Sequence, residues 1–456
     1  MKTWWNKLQA PVAVTLIALL FCGATVGAAA LYGSMEEAPP EVSEAEPVDY
    51  EEAIALDSEG QACGNLGQCE VALTYYDRAL AILEQDFDTY EEDIARIYSN
   101  RGTACDDLGR TEEAVEMYRY SLEIRDRFLA EDDPDRAETI MNLGCALSNL
   151  GQNDEATECY EQAIPALEKY GYPTLALAYI NLGTQLGERE DYDQALTYYW
   201  KGLEACERDY GPENPYCAAA RGNIGCVMCD RGEYAPALEY FQEALAICEA
   251  AYDGDHPDTA WALGNVGSIL CELEEYERAL DYSQDALAMY ERLYGEEHPD
   301  TAGVYDQLGF VLYEQGDYEA SLPPYRKAIE IYEAVRGAGH PDTASAYNGI
   351  GRTLSKLGLF GEASEYFGQA RAVMEAHYGT EHSNTGQVYD NMGQLLCMQG
   401  NPEEAVPLHL KAYQILRAVF GEDHPDTKEA LDNLRKAYAL ARKKSFDEWL
   451  RARLGQ

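Results

Sequence analysis

The chain has 456 residues, of which 46% are hydrophobic and 25% are charged, and its 82 acidic against 34 basic residues give a formal net charge of −48. These fractions are those of a folded protein, so disorder of the whole chain is excluded. The acidic surface repels nucleic-acid phosphates and anionic lipid, so we expect no nucleic-acid partner. A basic or polar peptide partner is electrostatically acceptable, although an acidic surface also simply keeps a long protein soluble.

The first 32 residues differ in kind from the rest of the chain. Lys2 and Lys7 precede 23 uncharged residues, from Ala10 to Tyr32. At about 1.5 Å per residue this run crosses a hydrocarbon core of about 30 Å, and it also fits a signal peptide with an A-x-A cleavage site at Ala28 and Ala30. Residues 1–32 are therefore predicted to be a signal peptide or an N-terminal transmembrane anchor. A lipid-modified Cys22 is disfavoured because Phe21 precedes it, where a small residue is expected.

Both alternatives predict the same topology, because the lysines stay on the cytoplasmic side and the downstream flank is acidic. The repeat domain is then extracytoplasmic, either membrane-anchored or secreted if the segment is cleaved. Any membrane contact is made only through the N-terminal segment. Residues 33–49 are acidic and contain proline with little to bury, and they predict a disordered linker.

Residues 50–428 repeat themselves with a period close to 42 residues. Each unit has two apolar-periodic stretches of helical length, separated by a short turn in which a glycine can end the first helix. A glycine recurs in the first stretch at Gly60, Gly102, Gly144, Gly183, Gly225, Gly267, Gly309, Gly351 and Gly393. A small residue follows twelve positions later, and an aromatic residue usually follows four positions after that. Helices pack closely where their crossing residues are small, so these columns predict nine helix pairs.

These positions resemble those of the tetratricopeptide repeat, and the 42-residue period with its "GEDHPDT" loop is similar to the kinesin light chain type. The resemblance implies an all-α, right-handed solenoid or superhelix of about nine helix pairs plus a C-terminal capping helix. One departure is the 39-residue spacing from Gly144 to Gly183, where we expect a local change of superhelical pitch. No heptad coiled coil precedes the repeats in this sequence, so the resemblance does not imply motor-cargo adaptation.

A loop of the type "GEEHPDTA" closes five of the units, and its histidines recur every 42 residues. They are His256, His298, His340, His382 and His424. Proline suits the first turn of a helix and the following aspartate faces the positive end of the helix dipole, so "HPDT" predicts a helix start. Zinc would need imidazoles from different repeats at about 2.0–2.1 Å from one ion, whereas packed helices lie about 8–10 Å apart. We therefore interpret the loop as scaffold and expect no metal and no cofactor.

The resemblance also implies that the first helices line a concave groove, and that the residue two positions before each glycine points into it. This position holds Asn100, Asn142, Asn181, Asn223, Asn265, Gln307, Gly349, Asn391 and, in the terminal helix, Asn433. A side-chain amide has both donors and an acceptor, so a row of them can hold an extended peptide backbone without reading its side chains. The alternative is that each amide bonds the backbone of a neighbouring helix.

Selectivity would come from other groove-facing positions. Carried over by register, these are Cys226, Cys229, Phe310, Tyr313, Arg352 and Lys356. The two aromatic residues beside two cations predict a pocket for an apolar or acidic side chain. The pair "CVMC" lacks a second pair or a histidine at zinc-finger spacing, and the other cysteines fall at helix-facing positions where a free cysteine acts as a small hydrophobe.

Residues 429–456 repeat the first-helix pattern without its glycine and predict a capping helix with a basic C-terminal tail, because a stacked array needs a polar outer face. No P-loop, G-x-S-x-G or H-E-x-x-H motif is present, so an enzyme is not expected. We expect a protein-protein interaction scaffold that binds an extended peptide segment of a partner in the concave groove. The alternatives are a self-assembling structural protein and an enzyme with a groove Cys/His site, for example at Cys229.

Overall fold

The computed structural model describes residues 48–441 and 446–454. The predicted signal or anchor, and all of the predicted linker except its last two residues, lie outside the described residues. Within the described ranges, no helix combines the length and the apolar character needed to cross a bilayer.

The described residues form helices that follow one another in successive pairs, which confirms the predicted all-α solenoid. In the first half these are α1 (Tyr50–Asn65), α2 (Cys69–Leu83), α3 (Phe87–Asp107), α4 (Thr111–Arg125), α5 (Pro134–Asn149), α6 (Asn153–Tyr170), α7 (Leu175–Glu188), α8 (Tyr192–Tyr210), α9 (Pro215–Asp230) and α10 (Tyr234–Ala251). In the second half they are α11 (Pro257–Glu272), α12 (Tyr276–Tyr294), α13 (Pro299–Gln315), α14 (Tyr318–Val335), α15 (Pro341–Lys356), α16 (Phe360–Tyr378), α17 (Ser383–Met398), α18 (Pro402–Phe420), α19 (Pro425–Ala441) and α20 (Phe446–Leu454). Odd-numbered helices up to α17 are the first helices of nine pairs.

The chain divides into two compact units, one up to Gln185 and the other from Leu186 onward. The first unit contains the pairs α1–α2, α3–α4 and α5–α6. The second unit contains α8 and the five pairs from α9 to α18, with one buried cluster that runs from Cys226 to Leu395. At its end, α19 packs on α18 and buries Leu434 and Tyr438. The short helix α20 covers Tyr438 with Trp449, whose rings lie 4.6 Å apart.

The glycine column makes room for an aromatic ring from the second helix of the same pair. A Cβ atom at these glycines would lie 2.6–2.9 Å from that ring, closer than van der Waals contact allows. The positions are Gly60, Gly102, Gly144, Gly225, Gly309, Gly351 and Gly393. At Gly393 the ring is His409 rather than Tyr or Phe. The small residue predicted at the helix crossing is therefore required by the size of its neighbour.

The repeated histidine is the cap of the helix that follows it. In all five loops its Nδ1 accepts a hydrogen bond of 3.2 Å from the backbone N–H two residues later. Four of the rings also stack on the aromatic residue that closes the preceding helix, with centroids 3.3–4.4 Å apart. Burial lowers the pKa of His256, His340 and His382, which favours the neutral ring that an acceptor nitrogen requires. The sequence analysis predicted a helix start at this loop but attributed it to the proline and the aspartate, and it did not predict the capping role of the histidine.

One loop departs from this pattern and carries a disulfide instead. In "YGPENPYC" the side chain of Asn214 caps α9, with 2.9 Å from its Oδ1 to the N–H of Tyr216. Cys217 takes the place of the threonine found in the other loops and is bonded to Cys206 of α8. The bond ties the end of one repeat to the start of the next.

Candidate functional site

The predicted amide row is used largely for contacts between neighbouring repeats. Four of its members bond the residue 43 positions earlier, on the first helix of the preceding pair. They are Asn100 with Asp57 (3.3 Å), Gln307 with the carbonyl of Gly264 (2.6 Å), Asn391 with Asn348 (3.0 Å) and Asn433 with Asp390 (2.8 Å). Asn181 similarly donates to Cys145 of α5 at 3.2 Å. At these positions the structure supports the alternative that the amide joins adjacent helices.

The exposure of the row varies strongly along the chain. Asn142 and Asn223 are half-buried, and so are Asn100, Asn391 and Asn433. Asn265 and Gln307, in contrast, are 0% exposed and present no surface to a peptide. Gln307 also bonds Ser268 at 2.7 Å, and its amide occupies space that Gly267 leaves open, since a Cβ there would lie 2.9 Å from the amide nitrogen. The expectation that these two residues line an open groove is corrected by their packing.

The predicted aromatic and cationic residues do come together. The Arg352 guanidinium lies 4.2 Å from the ring centre of Tyr313 and 5.9 Å from that of Phe310. It also donates to Glu314 at 2.7 Å, so a neighbouring carboxylate balances its charge. Phe310 is 6% exposed and lies beneath Arg352 and Tyr313, whereas Lys356, one turn further along α15, is exposed. Arg352 is thus held in a fixed position rather than left free in solvent.

A cavity of about 190 Å³ lies beside Arg352 and Tyr313, with walls mainly from α13, α15, α17 and α19 and further contributions from Tyr318 of α14 and Leu416 of α18. The residues that matter for its chemistry are Tyr313, Tyr318, Arg352, Lys356, Asp390 and Glu429. Its volume is below the roughly 300–1,000 Å³ of a pocket for a drug-sized molecule. It has room for a group the size of a side chain, and it draws on three successive first helices and on the capping helix α19.

Asp390 is the most constrained carboxylate of this wall. It is bonded by His409 at 2.6 Å, by Gln394 at 2.9 Å and by Asn433 at 2.8 Å. His409 is 1% exposed and stands in the aromatic column of the repeat, so its ring both fills the space over Gly393 and fixes Asp390. Sequence reasoning missed this pair, although the histidine among the aromatic residues was a visible signal.

The repeat architecture agrees with comparisons to known proteins. The model of the tetratricopeptide repeat matches residues 51–127, 93–169, 174–250, 227–292, 258–334, 300–376 and 377–445. The chain belongs to the tetratricopeptide repeat family. No curated protein sequence is a significant match.

Solved structures that are similar to this chain include three with different descriptions. The apo form of the quorum sensor NprR from B. thuringiensis is 15% identical, with a TM-score of 0.56 over 71% of this chain and 87% of that chain. A Rap protein complexed with Competence and Sporulation Factor is 15% identical, with a TM-score of 0.50 over 86% and 99%. A putative kinesin light chain with nearly identical repeats from Podosopora anserina is 15% identical, with a TM-score of 0.37 over 45% and 97%. At these identities the likeness concerns the fold alone.

The two cysteines that we expected to face the groove of the tetratricopeptide array are instead buried in its hydrophobic core. Cys226 and Cys229 are both 0% exposed and belong to the buried cluster of the second unit. In the part of the chain that the structure describes, no three His, Cys, Asp or Glu side chains are grouped as metal ligands. A groove nucleophile at Cys229 would have no accessible surface in this arrangement.

The second unit contains a contact that the sequence did not predict, which we call the turn-loop contact. It joins the turns inside two early pairs to the loops before α17 and α19. The turns contribute Glu190, Tyr192, Asp230 and Gly232, and the loops contribute His382, Ser383, Phe420, His424 and Pro425. Partners along the chain are more than 190 residues apart, so the contact closes the tetratricopeptide array onto itself within this unit.

Two hydrogen bonds define the turn-loop contact. The Glu190 carboxylate accepts from the N–H of Ser383 at 3.3 Å and lies 3.6 Å from Nε2 of His382. Nε2 of His424 lies 2.6 Å from the carbonyl oxygen of Asp230, and because its Nδ1 already caps α19, the Nε2–H is the donor. Burial lowers the pKa of His382 while the Glu190 charge acts in the opposite direction. His424 therefore hydrogen-bonds through both ring nitrogens, whereas Nε2 of His382 only lies near the Glu190 carboxylate.

Glu190 and Ser383 are both departures from the repeat. Seven of the nine turns inside the pairs place a glycine at a positive φ: Gly67, Gly109, Gly151, Gly232, Gly316, Gly358 and Gly400. Glu190 and Glu274 replace that glycine at φ 61° and 63°. A side chain in this conformation costs about 1–2 kcal/mol. Ser383 occupies the position at which the other four loops with a histidine have proline. Proline has no backbone N–H, so it could not donate the hydrogen bond that the Glu190 carboxylate accepts from Ser383.

Proposed function

We propose that the chain is a protein-interaction scaffold that binds an extended peptide segment of a partner protein along the first helices of its second unit. The observation that carries the proposal is the polar cavity built from α13, α15, α17 and α19. A segment that crosses three successive first helices and the capping helix runs along the array, as recognition of an extended peptide requires. The tetratricopeptide family, and the fold shared with a Rap protein complexed with Competence and Sporulation Factor, support it.

The buried amides change the expected mode of binding. Because Asn265 and Gln307 are buried, the segment is not held by an uninterrupted ladder along the array. We propose that the half-buried members, Asn223, Asn391 and Asn433, contact its backbone and that the cavity takes one of its side chains. Asn100, Asn142 and Asn181 belong to the first unit and would form a separate contact region there. The proposed role is binding, without catalysis and without a cofactor.

The cavity can be tested by filling it. Gln394 is half-buried in the cavity wall, and Gln394→Trp places an indole in that space. Gln369→Trp, at an exposed position on α16, is the matched control for adding an indole to the surface. Crosslinking and pull-down from source cells should recover specific partners with the wild type and the control, and lose them with Gln394→Trp after circular dichroism confirms its fold. Unchanged partners with Gln394→Trp would refute binding at the cavity.

We further propose that the repeat domain works outside the cytoplasm. The support is the uncharged run at residues 10–32 together with the Cys206–Cys217 disulfide, since disulfides persist mainly in oxidising compartments. Mass spectrometry of the protein from its source would distinguish a cleaved signal from a retained anchor. Protease treatment of intact cells should digest the repeat domain, and protection from digestion until lysis would contradict this placement.

A further inference from the structure

The charges around the cavity do not balance. Its walls contain the carboxylates of Glu314, Asp390, Asp426 and Glu429 and the cations of Arg352 and Lys356. Glu314 balances Arg352, whose guanidinium is also held over the ring of Tyr313. Among the residues of the wall, three carboxylates remain against Lys356, which leaves a surplus of two negative charges. Arg352 is thus part of the wall and not a free cation for an acidic ligand.

The uncharged groups of the wall have the same preference. The amide NH₂ groups of Gln387 and Gln394 donate to the carboxylates of Asp426 and Asp390 at 3.2 and 2.9 Å. Asn391 donates to Asn348 of the preceding first helix at 3.0 Å. An amide whose NH₂ group is used in this way offers its carbonyl oxygen to a ligand. The wall is therefore rich in acceptors as well as negative, and these are separate observations.

We propose that the cavity receives a lysine or arginine side chain of the bound segment. Such a side chain brings a positive charge and several N–H donors to a wall of carboxylate and amide oxygens, and its aliphatic stem can lie against Tyr318 at the edge. The inference rests on the proposed function and specifies the ligand of the same site. It differs from the prediction of an apolar or acidic side chain, which treated Arg352 as available for the ligand.

The overall charge of −48 also attracts any cationic peptide, so the test must separate the cavity from the general field. The probes are fluorescent, capped nonapeptide pools with one fixed central residue, Lys, Arg, Glu or Leu, measured against the full chain by anisotropy at two salt concentrations. Glu429→Gln and Lys356→Gln each remove one charge from the cavity wall. Glu330→Gln and Lys327→Gln on α14 change the net charge by the same amounts at an ion pair outside the cavity.

We expect the Lys and Arg pools to bind more tightly than the Glu and Leu pools. Glu429→Gln, at a half-buried charge, should weaken their binding by about two- to fivefold, and Lys356→Gln, at an exposed charge, should strengthen it by up to about twofold. The α14 variants should change it less. If the Glu pool binds best and Lys356→Gln weakens it, the inference is overturned while the proposed function stands. If no pool responds to the cavity variants more than to the α14 variants, both are overturned.

Discussion

The strained Glu190 should be retained by the fold because its carboxylate holds the turn-loop contact, and Glu274 offers a matched comparison. Both residues have nearly the same left-handed φ at the same repeat position, but Glu274 is exposed whereas the Glu190 side chain is 13% exposed against His382 and Ser383. Replacement by glycine removes the same backbone strain at both sites. It removes the carboxylate contact only at Glu190.

The magnitudes follow from this comparison. Relief of the left-handed strain is worth about 1–2 kcal/mol, and the extra freedom of glycine in the unfolded chain offsets about 0.5–1 kcal/mol of it. Glu274→Gly should therefore raise the free energy of unfolding by about 0.5–1 kcal/mol. At Glu190 a hydrogen bond to a charged group, worth about 1.5–3 kcal/mol, is lost as well, so Glu190→Gly should lower it by about 1–2 kcal/mol. The difference between the two variants should be about 1.5–3 kcal/mol.

Urea unfolding of the two variants, with the slope unchanged from wild type, measures this difference. Ser383→Pro provides a second perturbation, since it restores the proline of the other loops and removes the N–H donor together with the serine hydroxyl. Its effect should appear in the wild-type background and vanish in Glu190→Gly, because the two changes remove the same bond. If Glu190→Gly and Glu274→Gly stabilise the protein equally, the turn-loop contact contributes nothing and our reasoning is wrong.

Three further predictions concern the repeat itself. Gly309→Ala should lower the free energy of unfolding by about 1–3 kcal/mol, because the added Cβ would lie 2.8 Å from the Tyr325 ring. Gly368 lies in open space on α16, so Gly368→Ala should raise the free energy of unfolding by up to about 1 kcal/mol in the same denaturation assay. Because burial lowers the pKa of His340 in the folded state, its contribution to the free energy of unfolding is complete above about pH 6.5 and is lost as the pH falls through the folded value. In His340→Asn the capping side chain does not titrate, so thermal melts between pH 7 and 5.5 should show a smaller loss of stability in this variant than in the wild type. An identical pH dependence of the two proteins would refute the capping role of His340. Cys217→Thr introduces the threonine of the histidine-containing loops and removes the disulfide with Cys206. It should lower the free energy of unfolding by about 3 kcal/mol in oxidised protein and change it very little after dithiothreitol treatment. An equal effect under both conditions would show that the disulfide does not form.

The fold could be predicted because its signals are local and repeated. Seven of the nine glycines meet a ring sixteen residues away, and each of the five loop histidines accepts a hydrogen bond from the N–H two residues later, so most units repeat the same contacts. The position of the helix start was predictable from "HPDT" for this reason. The cap itself was missed because histidine is an uncommon N-cap, and the preference of proline for the first turn already accounted for the pattern.

The site was only partly predictable because register gives the direction of a side chain and not its neighbours. Arg352 and Tyr313 were placed correctly near each other, but the partner that changes their meaning is Glu314, which the register did not single out. Gln307 occupies the same position as Asn391 and is nevertheless buried, and its amide bonds the backbone carbonyl of Gly264, whereas that of Asn391 bonds the side chain of Asn348. Asn265 is as buried as Gln307, so residues of one column can differ in burial and in partner even when they are of the same type.

The turn-loop contact could not be predicted from the repeat pattern, although the sequence contains the residues that form it. A repeat states its short-range contacts in every unit, so a contact between turns almost five units apart cannot be part of the common pattern. It can be written only in the positions that break the pattern. Glu190 replaces a glycine at the expense of backbone strain, and Ser383 replaces a proline and thereby gains an N–H. Each exception looks like tolerated variation when it is considered alone, but each supplies what the other requires. In a repeat array, departures that carry a local energetic cost are therefore the positions at which to look for long-range partners.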